Sequence, residues 1–417
     1  MPDISVGAQI FDIAFHPTAS VVYAGLLTGE VKAYRYDDDG RDAPASAFRV
    51  RPSKRSCRGL TLSEDGARLW AIGKSKAIYT IDTALGEVVE TRKAAHDAAI
   101  NRVKRIMPNM LATGDDDGVV KLWDPRKPEA IRAYTHHFDF ISDFLWLQDK
   151  KHLVCTSGDG TLSVLDVRSS KTTPFAQSED QEDELLSVVA IKGGQKLVVG
   201  TQLGVLSIFN RRSGYGDCVD RIPGHPHSVD ALCNVPAHYP GAESTVLTGS
   251  SDGLLRAVQI LPTKLLGVVA DHGDFPVERV AVDRAGEGRW VASSGHDELL
   301  KLTDLKEVFE DGDEEGHEED GGQDDSDEEC GEAEGKDSDA EEDQGKQHSG
   351  AEAEEEAKED SDAEPEANAQ AAEDSSDDEA FKEKKRKRKK EKDPFKAAKK
   401  SKGKNEIEAD ASFFADL

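Results

Sequence analysis

Leu111–Arg126 reads LATGDDDGVVKLWDPR, and Leu153–Arg168 reads LVCTSGDGTLSVLDVR. In each, a short apolar run meets an Asp-Gly pair, an alternating run follows, and Asp-x-Arg closes the segment. Period-two alternation marks a half-buried strand. Asp-Gly suits the tight turn between two strands, because glycine takes positive φ without steric cost. Each segment therefore reads as a hairpin.

The same cadence recurs outward in both directions. Turn anchors fall at Gly29, Lys76, Gly118, Gly160, Gly204, Gly253 and Glu298, with spacings of 47, 42, 42, 44, 49 and 45. Repeats of roughly 40–45 residues, each a four-stranded antiparallel sheet, build WD40 β-propellers. Phe11–Phe15 and Ser187–Ile191 read as first strands, and Val21–Ala24, Lys196–Val199 and Trp290–Ala292 as second strands. No long helical periodicity competes with this reading. The expected fold is all-β: a seven-bladed WD40 β-propeller over residues 1–305, followed by a disordered acidic and basic tail. Blades are expected at about 9–52, 53–95, 96–136, 137–180, 181–222, 223–270 and 271–305, with 3–8 closing the last. The outer strand of the first blade is expected near Phe48 to Arg51.

Charge separates the tail from the rest. The 417 residues carry a formal net charge of −30, and residues 307–379 alone hold 35 acids against 3 lysines. That segment has too little aliphatic content to offset its chain entropy, so 306–380 reads as a disordered acidic tract. Residues 381–404 form a basic run and 405–417 a short terminal motif. No apolar stretch approaches the roughly 18 residues of a membrane span. Met1-Pro2-Asp3-Ile4-Ser5 has no basic or apolar leader character, so a secretory signal is not expected. Five scattered cysteines fit neither a disulfide framework nor a CxxC metal site, which favours a reducing compartment.

Several residues look chemical. His96, Thr113, Asp117 and Trp123 mimic a hydroxyl–histidine–aspartate catalytic set. At blade spacing they read instead as a buried hydrogen-bond chain: Asp117 to His96 to Thr113 to the Trp123 indole. His272, Ser293 and Asp297 repeat it in the last blade, with Thr303 in place of tryptophan, and His225, Thr248 and Asp252 in the sixth. Gly114–Gly118 resembles a calcium loop but lacks the alternating ligands and distal glutamate. No P-loop, GxSxG, HExxH or GxGxxG occurs. No enzyme, catalytic residue, cofactor or metal is expected.

Asp124 with Arg126, and Asp166 with Arg168, fall one residue past the third strands of neighbouring blades. The pair resembles the WDxR boxes through which WD40 substrate receptors dock damage-specific DNA-binding protein 1, the cullin-4 ligase adaptor. The competing reading is an arginine that merely caps its own turn. On the opposite rim, positions just before each first strand are expected to meet partners: Asn101, Phe140, Ser142, Ser228, Asp230 and Glu278. Phe140 is the aromatic anchor expected there.

In the tail, Ser326, Ser338, Ser361, Ser375 and Ser376 precede acids in the pattern that acidophilic kinases favour, so they are phosphorylation candidates. The tract suits basic proteins such as histones or ribosomal proteins. Lys384, Lys385, Arg386, Lys387, Arg388, Lys389 and Lys390 form a nuclear or nucleolar address that can also touch RNA phosphates without sequence preference. Phe413, Phe414 and Leu417 read as a docking motif. A monomer without membrane association is expected.

Ile10–Pro17 (IFDIAFHP), Ser56–Leu60 (SCRGL), Thr248–Val258 (TGSSDGLLRAV) with Ile260-Leu261-Pro262, Ser293–Asp297 (SSGHD) and Phe413–Leu417 (FFADL) are not generic propeller strings. On these the chain resembles the WD repeat-containing protein 55 family. The resemblance implies a nuclear, chiefly nucleolar scaffold, with the cytoplasm left open, needed for ribosomal RNA processing through ribosome-assembly factors. It also implies a possible second role, because plant members look like cullin-4 adaptors. Trp123-Asp124-Pro125-Arg126 keeps that box in full, whereas Leu165-Asp166-Val167-Arg168 lacks the tryptophan.

Overall fold

The computed structural model describes residues 3–309 apart from 38, 284, 286 and 287. These residues form seven four-stranded antiparallel sheets. Six take their strands consecutively from the sequence, inner to outer. In the third blade these are Ile100–Met107, Met110–Asp115, Val120–Trp123 and Ala130–Tyr134. Inner strands of the other blades are Ile10–Phe15, Cys57–Leu62, Ile141–Leu147, Leu185–Ile191, Val229–Asn234 and Val277–Val282.

Alternation along the strands places one apolar set on each face, and neighbouring sheets bury these sets against one another. Trp70, Ile72 and Ile78 of the second blade pack with Ile100, Val103, Leu111 and Trp123 of the third. Ala112, Leu122 and Tyr134 then meet Ile141, Phe144 and Leu153 of the fourth. Each buried leucine, isoleucine, valine or phenylalanine among them contributes about 1.5–3 kcal/mol by leaving water. In the third blade the inner strand of the next blade approaches closely enough to demand glycine beneath it: a Cβ on Gly114 would lie 2.6 Å from the Ile141 Cβ.

The last blade is completed from the start of the chain. Ile4 and Ser5 pair antiparallel with Leu300 and Leu299, and the Val6 N–H donates to the Glu298 carbonyl at 3.0 Å. Ile4, Val6 and Ala8 are buried between the first and last blades. All seven sheets thus form a ring in which each inner strand has a neighbour on both sides.

Four boundaries differ from the sequence expectation. The first blade's outer strand is Ala45–Val50, so it starts earlier and leaves Arg51 outside, where its guanidinium reaches the Thr28 carbonyl. The outer strands Asp220–Pro223 and Lys264–Asp271 overrun the expected 222 and 270 limits by one residue. Residues 306–309, expected to open the disordered acidic tract, belong to a helix, Leu305–Phe309. Its apolar side chains explain this: Leu305 is buried, and Val308 and Phe309 pack on a cluster that includes Tyr239. The rest of the acidic tract, its serines, the basic run and the terminal motif lie outside the described residues.

Candidate partner-binding sites

The catalytic mimic is a set of internal hydrogen bonds. His96 Nδ1 donates to Asp115 Oδ2 at 2.7 Å, Nε2 meets Thr113 Oγ1 at 2.7 Å, and the Trp123 indole N–H donates to the same hydroxyl at 2.7 Å. With the N–H on Nδ1 turned to the carboxylate, Nε2 is left to accept from the Thr113 hydroxyl. The acid is Asp115, not the expected Asp117. Asp115 ends the second strand, is buried, and also accepts the N–H groups of Asp117 and Val119, whereas Asp117 is exposed at the turn. The last blade holds the expected set: His272 bonds Asp297 at 2.6 Å and Ser293 at 2.9 Å, ending there because Thr303 offers no indole. In the sixth blade His225 reaches Thr248, but Asp252 pairs with Arg256 instead, at 2.6 Å.

A fourth set escaped the sequence reading. His137 bonds Asp159 at 2.9 Å and Ser163 at 2.7 Å. Its hydroxyl comes from the third strand, because Cys155 occupies the usual place on the second, directly opposite Ser163. A search that allowed the hydroxyl to cross one strand would have found it. His96, His137 and His272 are buried and His225 is half-buried, and the ring nitrogens bond to side chains of their own blades, so the sets fix packing.

At one end of the central axis the seven inner strands share a local irregularity. Each carries a register shift immediately after its first residue, between Ile10/Asp12, Cys57/Gly59, Ile100/Arg102, Ile141/Asp143, Leu185/Ser187, Val229/Ala231 and Val277/Arg279. Such bulges re-aim a side chain. The skipped residues, Phe11, Arg58, Asn101, Ser142, Leu186, Asp230 and Glu278, all line one cavity of about 320 Å³ at the mouth of the axis. Below it runs an axial channel of about 780 Å³.

The expected rim residues divide accordingly. Asn101, Asp230 and Glu278 line the mouth with polar atoms. Ser142 lines it too, but its hydroxyl is spent on the Leu185 carbonyl and Thr156. Ser228 is buried behind the rim, donating to Asp230 at 3.0 Å. Phe140 is half-buried, its ring over Gly158, and it is not the only aromatic at the mouth, since Phe11 joins it. Phe11, Arg58 and Leu186 escaped the sequence reading. The signal was available: they hold the same place in their strands as Asn101 and Glu278.

The mouth's charges mostly pair off. Arg58 meets Asp116 at 3.0 Å, Arg102 meets Asp143 at 3.7 Å, and Arg279 meets Asp12 at 3.5 Å. Asp230 and Glu278 are left over. Asp230 takes hydroxyls from Ser228 and Ser251, and Glu278 lies 2.5 Å from His296 Nε2. Burial raises both carboxyls above their ordinary values, and their mutual repulsion raises Glu278 further. Burial likewise pushes Asp12 up to about 6, against the pull of Arg102.

At the far ends of the third strands lie the two Asp-x-Arg turns. Arg126 donates both through its backbone N–H and in a two-pronged fork to Asp124, at 3.0, 2.9 and 2.8 Å. Arg168 makes the same three bonds to Asp166, at 3.0, 3.0 and 3.1 Å. The Arg126 hydrogen bonds hold the Asp124 carboxyl down at about 2. Both arginine side chains stay about two-thirds exposed, at 68% and 62%. Trp123 is buried against Arg92, 5.2 Å from ring to guanidinium, and offers no surface.

Seven four-stranded sheets with an Asp–His–hydroxyl–Trp set in the third make this chain a WD-repeat β-propeller. The WDR55 family model matches residues 1–308. The chain is 63% identical over 323 residues to the WD repeat-containing protein JIP5 of Laccaria bicolor, covering 74% of this chain and 76% of that one. It is 37% identical over 309 residues to WD repeat-containing protein 55 of Arabidopsis thaliana (74% and 84%), and 36% identical over 309 residues to that of Bos taurus (73% and 77%). The chain belongs to the WDR55 family.

Proposed function

We propose that this chain is a non-enzymatic nuclear and nucleolar scaffold in ribosome production, acting in ribosomal RNA processing. The propeller holds protein partners at its axial mouth, and the acidic tract handles basic ones. The observation that carries this reading is the joining of two parts. One is a propeller whose histidine–aspartate sets are consumed internally, leaving partner binding to its surface. The other is a sequence that runs from a net −32 over 307–379 to +11 over 382–404, suited to basic proteins and then to nuclear import. Depleting the protein is expected to leave precursor ribosomal RNA accumulating; unchanged processing rejects the pathway. Deleting 382–404 is expected to disperse the protein from nucleoli, and unchanged placement rejects the address.

A second reading, adaptor docking to the cullin-4 ligase, is favoured by one observation. Arg126 and Arg168 stand on adjacent blades, each exposed and each oriented by its own aspartate in the same fork. This reading expects Arg126→Ala with Arg168→Ala to abolish capture of damage-specific DNA-binding protein 1. Undiminished capture reduces the boxes to turn caps.

A further inference from the structure

We propose that the axial mouth takes up the arginine or lysine side chain of a partner polypeptide, with the cationic head against Asp230 and Glu278 and the stem against Leu186 and Phe11. This rests on the reading of the propeller as a protein-binding platform and specifies what its mouth selects.

The argument starts from the arginine–aspartate pairs. Three arginines and three aspartates neutralise one another there, so the mouth is not uniformly acidic. What remains without an arginine partner is local: Asp230 of the sixth blade and Glu278 of the seventh, the latter touching His296 Nε2 at 2.5 Å, on neighbouring inner strands. Asp230 is fixed by two serine hydroxyls, Ser228 at 3.0 Å and Ser251 at 2.6 Å, so its position does not depend on a partner. Two partly desolvated like charges cost the free protein stability, and an incoming cation removes that cost.

Around the ring the next positions on either side are Leu186 of the fifth blade and Phe11 of the first. Both are half-buried and both are aimed inward by the same bulge. Two carboxylates flanked by apolar surfaces match a side chain with an apolar stem and a charged end. The cavity of about 320 Å³ admits one such side chain rather than a folded element. Among the described residues no three carboxylate, histidine or cysteine groups converge as metal ligands, and the apolar flanks suit an organic cation.

The test uses the full chain and a dye-labelled hexapeptide bearing a single arginine, compared with the same peptide bearing citrulline, by fluorescence anisotropy. The arginine peptide is expected to bind at least tenfold more tightly. D230N with E278Q is expected to reduce it to the citrulline level while the protein melts no lower than wild type. Leu186→Arg, which places a cation in the mouth while leaving both carboxylates in place, is expected to do the same. Equal binding by wild type and both variants assigns the contact to the acidic tract and overturns the proposal. Absence of any arginine preference in wild type also overturns it, while leaving the scaffold reading to be judged by the precursor RNA measurement.

Discussion

Asp115 Oδ2 lies 2.7 Å from His96 Nδ1, while Asp117, two residues on and beside the turn glycine, faces solvent. One aspartate therefore anchors a four-residue chain through the third blade, and its near neighbour does not. Replacing Asp115 with alanine strands a buried imidazole N–H and two backbone donors, a cost of about 2–3 kcal/mol. Asp117→Ala is expected to fall within ~0.5 kcal/mol of wild type. Urea unfolding of the two variants checks the assignment; equal effects refute it.

His136 has both ring nitrogens buried without a hydrogen-bond partner, 4.4 Å from the His137 ring. Burial holds it near 4, and the neighbouring His137 adds to the effect. The folded state therefore keeps His136 neutral where the unfolded chain protonates it. The stability it confers is complete above pH 6.5 and is lost as pH falls toward 4. His16, His152, His225 and His272 are lowered in the same direction, also chiefly by burial. Urea midpoints should drop between pH 7 and pH 5, and His136→Asn should flatten that slope by on the order of 1 kcal/mol. An unchanged slope in the variant excludes His136 as a contributor.

Arg126→Ala and Arg168→Ala should leave the melting temperature where it is, because both guanidinium groups are largely solvated. Thermal unfolding decides this. A lowered melting point would mean that the forks hold the third strands' ends, and that lost adaptor capture reports misfolding.

Gly253 has φ +86°, and a Cβ there would lie 1.9 Å from the Gly273 carbonyl oxygen. Gly253→Ala is expected to destabilise by about 1–3 kcal/mol, whereas Gly216→Ala, with open space around it, should change little. Chemical denaturation of both variants measures the difference.

The propeller was legible because its period survives substitution. Lys76 and Glu298 replace the turn glycine at two anchors and adopt positive φ all the same, at 61° and 58°. The hydrogen-bond sets were legible only by residue type. Whether Asp115 or Asp117 reaches His96 depends on where the second strand ends, and whether His137 meets position 155 or 163 depends on pairing across strands. The mouth was half legible for the same reason. The bulges that turn Phe11, Arg58 and Leu186 inward are a two-against-one pairing between strands, and no single strand's alternation encodes that. The helix at Leu305–Phe309 was hidden by the acids that follow it.

Pairing of Ile4 and Ser5 with Leu300 and Leu299 ties the opening residues of the propeller to nearly its last. At about 5–20 residues per second, a ribosome needs tens of seconds to travel between them. Throughout that interval the Ile4–Ser5 strand has no seat, and the final sheet lacks its outer strand when it emerges. Chaperone protection of this short leading segment, or a bulky tag fused to it, would therefore govern the yield of closed rings far more than the same change at an inner loop.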